Sequence, residues 1–191
     1  VLVATGDMVS LQDRHTTTRV RDMDVFGLVA MARQSGLQTG VVIDPHPEAN
    51  GFETAIHRLA KKIDAGADFI QTQCIYNLDK FEEWMKQVRD RGLHEKAYIL
   101  AGLTPMKNVG MARYMSKRVP GMDVPDEIIK RLADRPKEKQ AEEGIKICVE
   151  SIERLKEVEG VAGFHIMAIE WEQKVPGIVE DAGLYPRPQV D

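Results

Sequence analysis

Cysteine is scarce in this chain. Cys74 and Cys148 are the two present, and they show neither metal-ligand spacing nor a disulfide framework, so a reducing cytoplasm is the expected setting. No apolar run approaches the ~18 residues that a membrane span needs. The opening residues carry no charged-then-apolar leader with a small-residue cleavage site, so export is not expected. A large excess of either charge is also missing. With 26 basic and 30 acidic residues the net charge is -4, which leaves no electrostatic footprint for nucleic acid or an anionic membrane. Short repeats and low-complexity linkers are absent. The 191 residues, 43% hydrophobic and 29% charged, therefore read as one ordinary globular domain.

What the sequence does contain is alternation between short apolar runs and longer segments of helical period. The runs are Val1 to Ala4, Val41 to Ile43, Phe69 to Tyr76, Tyr98 to Leu103 and Gly163 to Ile169. Each is bounded by Gly, Pro or charge, as buried parallel strands are. Between them, Phe52, Ile56, Leu59, Ala60 and Ile63 recur at helical spacing, as do Phe81, Trp84, Met85 and Val88, and Ile145, Cys148, Val149, Ile152 and Leu155. Asp24 and Asp79 are the expected N-caps of two helices, and Gly36, Gly66 and Gly92 fall at expected C-caps. Pro125 suits the first turn of a helix carrying Ile128, Ile129 and Leu132. The charged run Asp134 to Glu143 reads as a solvated loop and helix start. Successive strand ends at Asp7, Asp44, Gln73 and Thr104 are separated by about 30 residues or a little more, the length of a strand-helix-strand crossover. The fold class is α/β, with five parallel strands.

In such folds ligands gather at the C-terminal ends of strands. Those ends carry Asp7, Asp44, Gln73, Thr104 and Glu170. Gln71 and Gln73 share parity on the third strand, opposite Ile70, Thr72 and Cys74. Two amides on one face need partners, either in a core network or in a polar ligand at the strand end. Asp7 is either a cap on the next loop or a ligand contact. His46-Pro47-Glu48-Ala49 precedes a helix bearing Lys61 and Lys62, a pair that either holds a phosphate or sits on a solvated helix face. His165 reads as a core or network histidine, while His15, His57 and His94 lack ligand spacing, so no metal is expected. Cys74, facing away from the glutamines, is not expected to be a nucleophile.

The same residues resemble the methylenetetrahydrofolate reductase family of flavin-dependent (β/α)8 TIM barrels. The matching stretches are Thr5-Gly6-Asp7, His46-Pro47-Glu48-Ala49, Leu59 to Ile70, Thr72-Gln73, Ala101 to Pro105 and Gly163-Phe164-His165. The stretch from Asp64 to Gln73 is the most specific. The resemblance spans essentially the whole chain, 1-191, in order. It implies a flavoprotein with FAD, or FMN in its place, that reduces 5,10-methylenetetrahydrofolate to 5-methyltetrahydrofolate in one-carbon metabolism and methionine biosynthesis. Asp7 matches the aspartate that tunes the flavin and helps fix folate, and Gln73 the glutamine that binds the pterin. Thr5, Gly6, Asp7, His46, Glu48, Ala49, Lys61 and Lys62 match the flavin-binding positions.

Departures from the family pattern accompany these matches. Thr5 stands where well-studied bacterial members have arginine, and Val42 where they have tyrosine. Met111 and Met115 replace the glutamine and phenylalanine that hold NADH. The pattern is closer to anaerobic and archaeal-type members, which puts a partner subunit bearing zinc or iron-sulfur beside NAD(P)H as the electron donor. An oligomer is expected. The five strands match the fourth to eighth of the barrel, so the N-terminal three β/α units and the family's general-acid glutamate have no counterpart, as suits a chain that opens at Val1 in mid-strand. Two other readings stand beside this one: a non-catalytic subunit or remnant in an electron-transfer or one-carbon complex, and the same chemistry on a tetrahydromethanopterin-type carrier.

Overall fold

The computed structural model describes residues 1–4, 13–18, 22–46 and 51–186. Local signals fix the helix ends. Asp24 accepts a hydrogen bond from the Gly27 amide through its carboxylate and starts α1 (Val25–Gln34), as its position before an apolar period requires. The cap of α3 (Leu78–Asp90) is Asn77 rather than Asp79: the Asn77 side chain accepts from the Lys80 amide, and Asp79 lies inside the first turn. Gly36, Gly66 and Gly92 end α1, α2 (Gly51–Asp64) and α3 with φ of 74°, 112° and 62°, a region where only glycine is unstrained. Three helices fill the long interval before the last strand: α4 (Val109–Arg118), α5 (Asp126–Ala133) and α6 (Gln140–Lys156). The last is α7 (Val175–Asp181).

The strands β1 (Leu2–Val3), β2 (Gly40–Ile43), β3 (Phe69–Cys74), β4 (Tyr98–Leu103) and β5 (Val161–Ile166) form one parallel sheet in chain order. The third and fifth end earlier than their apolar runs. In β5 the backbone leaves the ladder after Met167, whose amide still donates to the Leu103 carbonyl. An order without reversal lacks the switch point of a doubly wound sheet and puts the crossovers on one side. Val41, Ile70, Ile99 and Ala101 point to that side, are fully buried and pack against the helices with Ile56, Leu59, Phe81, Trp84 and Ile152.

The opposite face is only half covered. Leu2 is 44% exposed and Tyr98 67%, and Val42, Phe69, Gln71, Gln73, Leu100 and His165 are partly exposed. The expectation that both faces are buried fails here, so the two glutamines do not require protein partners. For the same reason His165 is not a core histidine. Phe69 is partly shielded by lying across Gly40, where a Cβ would fall 2.1 Å from its ring.

At the N-terminal ends of the strands, Asp68 acts as a clamp. Its carboxylate accepts from the Thr39 amide (2.8 Å) and from Arg33 (2.7 Å), and its backbone N–H and C=O pair with Thr39 and Tyr98. At the other ends, a second apolar cluster holds α4, α5 and α6 against β3, using Cys74, Tyr76, Met106, Met115, Leu132 and Ile147. The charged run before α6 is less solvated than its composition suggests, because Glu143 is buried and ion-paired with Arg131 and Arg135. No helix among the described residues is long and apolar enough to cross a membrane.

Close packing of α6 depends on Gly144, where a Cβ would stand 1.7 Å from the Met106 carbonyl oxygen. A backbone atom cannot rotate away. Gly144→Ala is therefore expected to cost about 3 kcal/mol in urea unfolding, with the m-value unchanged.

Candidate functional site

Gln73 stands at the C-terminal end of β3, beside an irregularity that fixes its geometry. The β3–β4 register shifts between Gln71 and Cys74. There the Thr72 hydroxyl accepts from the Gly102 amide (2.8 Å) and donates to the Gln73 carbonyl (2.9 Å), replacing the lost ladder bond. Gly102 is needed for the approach, since a Cβ on it would lie 2.4 Å from the Thr72 carbonyl oxygen. A lone glycine inside an apolar strand run was the sequence signal for this bulge. The Gln73 side-chain oxygen accepts from the Cys74 amide at 3.0 Å. Its amide NH2 makes no hydrogen bond among the described residues, which leaves a donor edge on the half-open face.

The end of β2 carries the second group. His46 is 4% exposed, its amide donates to Asp44, and its Nε2 lies 3.2 Å from the Asn77 carbonyl oxygen. A carbonyl only accepts, so Nε2 carries the proton. Burial lowers the His46 pKa despite the upward pull of that hydrogen bond and of Asp44 and Asp123. The ring is thus neutral at pH 7, with Nδ1 a buried acceptor that has no partner among the described residues. A group seated against it must donate.

A strap between α4 and α5 closes over these ends. The Asp123 carboxylate accepts from Lys80 (2.5 Å) and from Asn77 (3.0 Å), and Gly121, with φ of 78°, packs against the Asp44 carboxylate. Partial burial works to raise the Asp123 pKa, but the Lys80 ammonium and both hydrogen bonds outweigh it and hold it low. The Lys61-Lys62 pair is split. Lys61 is exposed, whereas Lys62 is buried and donates to the Val42 carbonyl oxygen at 2.5 Å, its pKa lowered by desolvation and by Arg58.

Behind the sheet, Cys74 Sγ lies 2.9 Å from the Thr104 hydroxyl, and Tyr76 donates to the Thr104 carbonyl and Met115 sulfur. Burial raises the Cys74 thiol and, with Cys74 nearby, pushes Cys148 up to about 12, so both stay protonated. Met115 is core, while Met111 is half-buried and its sulfur accepts from the Lys107 amide. Among the described residues no group of three or more His, Cys, Asp or Glu side chains could hold a metal. Thr5, Gly6, Asp7, Glu48 and Ala49 lie outside the described residues.

Sequence reasoning missed Asn77, Lys80, Asp123, Lys107 and Trp171. After β5, Glu170 has φ of 50°, the one non-glycine with positive φ among the described residues, and its carbonyl accepts from Lys107 Nζ at 3.2 Å. The same ammonium sits 6.0 Å from the centre of the Trp171 ring.

The family described as methylenetetrahydrofolate reductase matches residues 1–183. A probable methylenetetrahydrofolate reductase (NADPH) of Caenorhabditis elegans is 22% identical over 189 residues, covering 97% of this chain and 28% of its own length. Methylenetetrahydrofolate reductase 2 of Schizosaccharomyces pombe is 30% identical over 132 residues, covering 66% of this chain and 20% of its own length. The chain thus spans under a third of either relative. A solved structure, described as an uncharacterised Clostridium thermocellum protein that binds two copies of 5-methyl-5,6,7,8-tetrahydrofolic acid, shares the fold at 17% identity. Its TM-score is 0.59, over 84% of this chain and 58% of that one.

Two outcomes test this geometry. With its folded pKa below the unfolded value of about 6.5, His46 contributes stability that is full above that pH and is lost as pH falls through the window beneath it, as does His165. His46→Gln should flatten that acid slope in urea titrations at stepped pH, leaving the His165 share. Glu170→Gly should stabilise the protein by about 1 kcal/mol in the same assay by relieving a left-handed backbone.

Proposed function

The chain belongs to the methylenetetrahydrofolate reductase family, and from that membership we propose that it carries the hydride-accepting half of a flavin enzyme. The reaction would convert 5,10-methylenetetrahydrofolate to 5-methyltetrahydrofolate. The observation that carries the reading is Gln73, a strand-end amide with an unspent donor edge on the half-open sheet face. A pterin presents a matching row of acceptors and donors, and pairing with it fixes which face of the substrate is offered for transfer. The named ligand of the solved neighbour, a methylated tetrahydrofolate, supports that substrate class.

The residues present fit a flavin. His46 keeps a buried acceptor for a donor group, and the exposed Lys61 offers a cation for a phosphate. Lys62 fixes the end of β2 through the Val42 carbonyl. By the family resemblance, Thr5, Gly6, Asp7, Glu48 and Ala49 complete the proposed cofactor contacts, with Asp7 also assigned to the substrate. Bound flavin, FAD or FMN, supplies the hydride. Gln73 orients the pterin, and the sheet face behind it excludes water from the acceptor carbon.

The half-exposed face, with Leu2 and Tyr98 open, supports a further part of the proposal: these strands are the fourth to eighth of a (β/α)8 barrel whose remaining strands cover that face and bring the general acid. On α4 the methionines offer no polar side chain to a nicotinamide, which supports a partner protein as electron donor.

In the native gene product the visible spectrum should show flavin bands. Gln73→Ala should weaken tetrahydrofolate binding roughly 10- to 100-fold while leaving those bands in place. A colourless protein, or a variant with unchanged folate affinity and turnover, overturns the reading. Rapid flavin reduction by NADH alone overturns the partner-donor part.

A further inference from the structure

Helix α4 lies across the strand ends. It leaves from the end of β4, and beyond it Gly121 packs against Asp44 at the end of β2 while Asp123 takes the Asn77 side-chain amide at the end of β3. Its inner residues Ala112 and Met115 are buried, and the Met115 sulfur accepts from the Tyr76 hydroxyl at 3.2 Å. The outer face of α4 is therefore part of the surface that this pole, with Gln73 and His46, turns to solvent.

That face is basic and aromatic. Arg113, Tyr114, Lys117 and Arg118 share one side of the helix and are all exposed, Tyr114 at 62%. No Asp or Glu occurs from Lys96 to Met122, in a chain that carries 30 of them. Arg113, Lys117 and Arg118 make no ion pair among the described residues, whereas Arg33, Arg89, Arg91, Arg131, Arg135 and Arg154 each do. The helix dipole favours cations in the last turn, which accounts for Lys117 and Arg118. It does not account for Arg113, or for a largely exposed tyrosine set among cations. Arginine and tyrosine are the types enriched where proteins meet.

The rest of the molecule decides which polyanion suits this face. A membrane-surface helix needs its apolar side free for lipid, and that of α4 is spent on the core. Nucleic acid is repelled by the remainder of a chain whose net charge is -4. An acidic protein needs a small patch alone, and redox encounters are among the smallest protein contacts, with charge complementarity setting their on-rates.

We propose that the outer face of α4 is the docking surface for an acidic one-electron carrier protein. The proposal rests on the flavin reading given above and supplies the surface for the partner donor named there. Two reduced carriers each give one electron and leave oxidised; with one proton from water, the two electrons make the hydride equivalent held on the flavin. Arg113, Lys117 and Arg118 steer the encounter, and the Tyr114 ring adds a contact that persists when salt screens the charges.

The test uses the native gene product with two acidic probes, a ferredoxin and a flavodoxin. Calorimetry at low and high salt reads binding, and anaerobic stopped-flow with the reduced probes reads flavin reduction. Combining Arg113→Gln, Lys117→Gln and Arg118→Gln should weaken binding and slow reduction about tenfold or more at low salt, and remove most of the salt dependence. Tyr114→Ser should weaken binding at both salt levels. Flavin bands and 5-methyltetrahydrofolate affinity should stay unchanged in every variant. An unchanged probe affinity in the triple variant, a loss of equal size at both salt levels, or a parallel loss of folate affinity overturns the proposal. A wild type that binds neither probe overturns it too, as does binding to phosphatidylglycerol vesicles in their place. A colourless protein defeats the flavin reading alone: probe binding that the triple variant loses would still support the docking surface, and no probe binding would overturn that as well.

Discussion

One-sided burial governs this molecule. The strands lie side by side in chain order, so the helices that connect them share a face, and the apolar side chains of alternate parity follow them there. Val41, Ile70, Ile99 and Ala101 are sealed, while their sequence neighbours Val42, Gln71, Tyr98 and Leu100 are left at least partly open. A polar residue can therefore sit in mid-strand without a protein partner, provided its parity is that of the open face. Gln73 is tolerated for this reason and is chemically available for the same reason.

The strand ends are organised by groups that do double duty. The Thr72 hydroxyl repairs the ladder at the bulge and so orients the Gln73 backbone. Asn77 caps α3, receives the His46 ring on its carbonyl and donates to Asp123. Through these bonds the loop after β2, the start of α3 and the strap before α5 act as a unit. A side chain in that unit is seldom replaceable on its own, because each polar atom in it satisfies a partner on a different element.

The periodic parts of this architecture were legible in the sequence, because alternation of apolar and polar residues records which side of an element is buried. The five strands, the faces of α2, α3 and α6, the Asp24 cap and the glycine C-caps all follow from that rule. What could not be read were features set by distant partners. Asp79 and Asn77 are equally plausible caps until the backbone shows which precedes the first turn. Glu143 looked solvated in a charged run, and only the arrival of Arg131 and Arg135 lets it be buried. Lys61 and Lys62 are adjacent and alike in sequence, yet helix rotation sends one to solvent and the other to the Val42 carbonyl. At the candidate site, Gln73 and His46 were visible from spacing and from family resemblance. Lys107 and Trp171 were not, since neither belongs to a motif and their meeting depends on the turn at Glu170.

The Asp68 clamp joins α1, the start of β2 and the start of β4 with one carboxylate and one peptide unit, at the end of the sheet away from Gln73. The clamp and the candidate site therefore lie at opposite poles. Under the proposed function, drift in the loops beyond the strand ends can alter which ligand is accepted while the alignment of the strands is inherited intact. Loss of Asp68, by contrast, would be felt by every strand it aligns, whatever ligand the other pole had come to prefer.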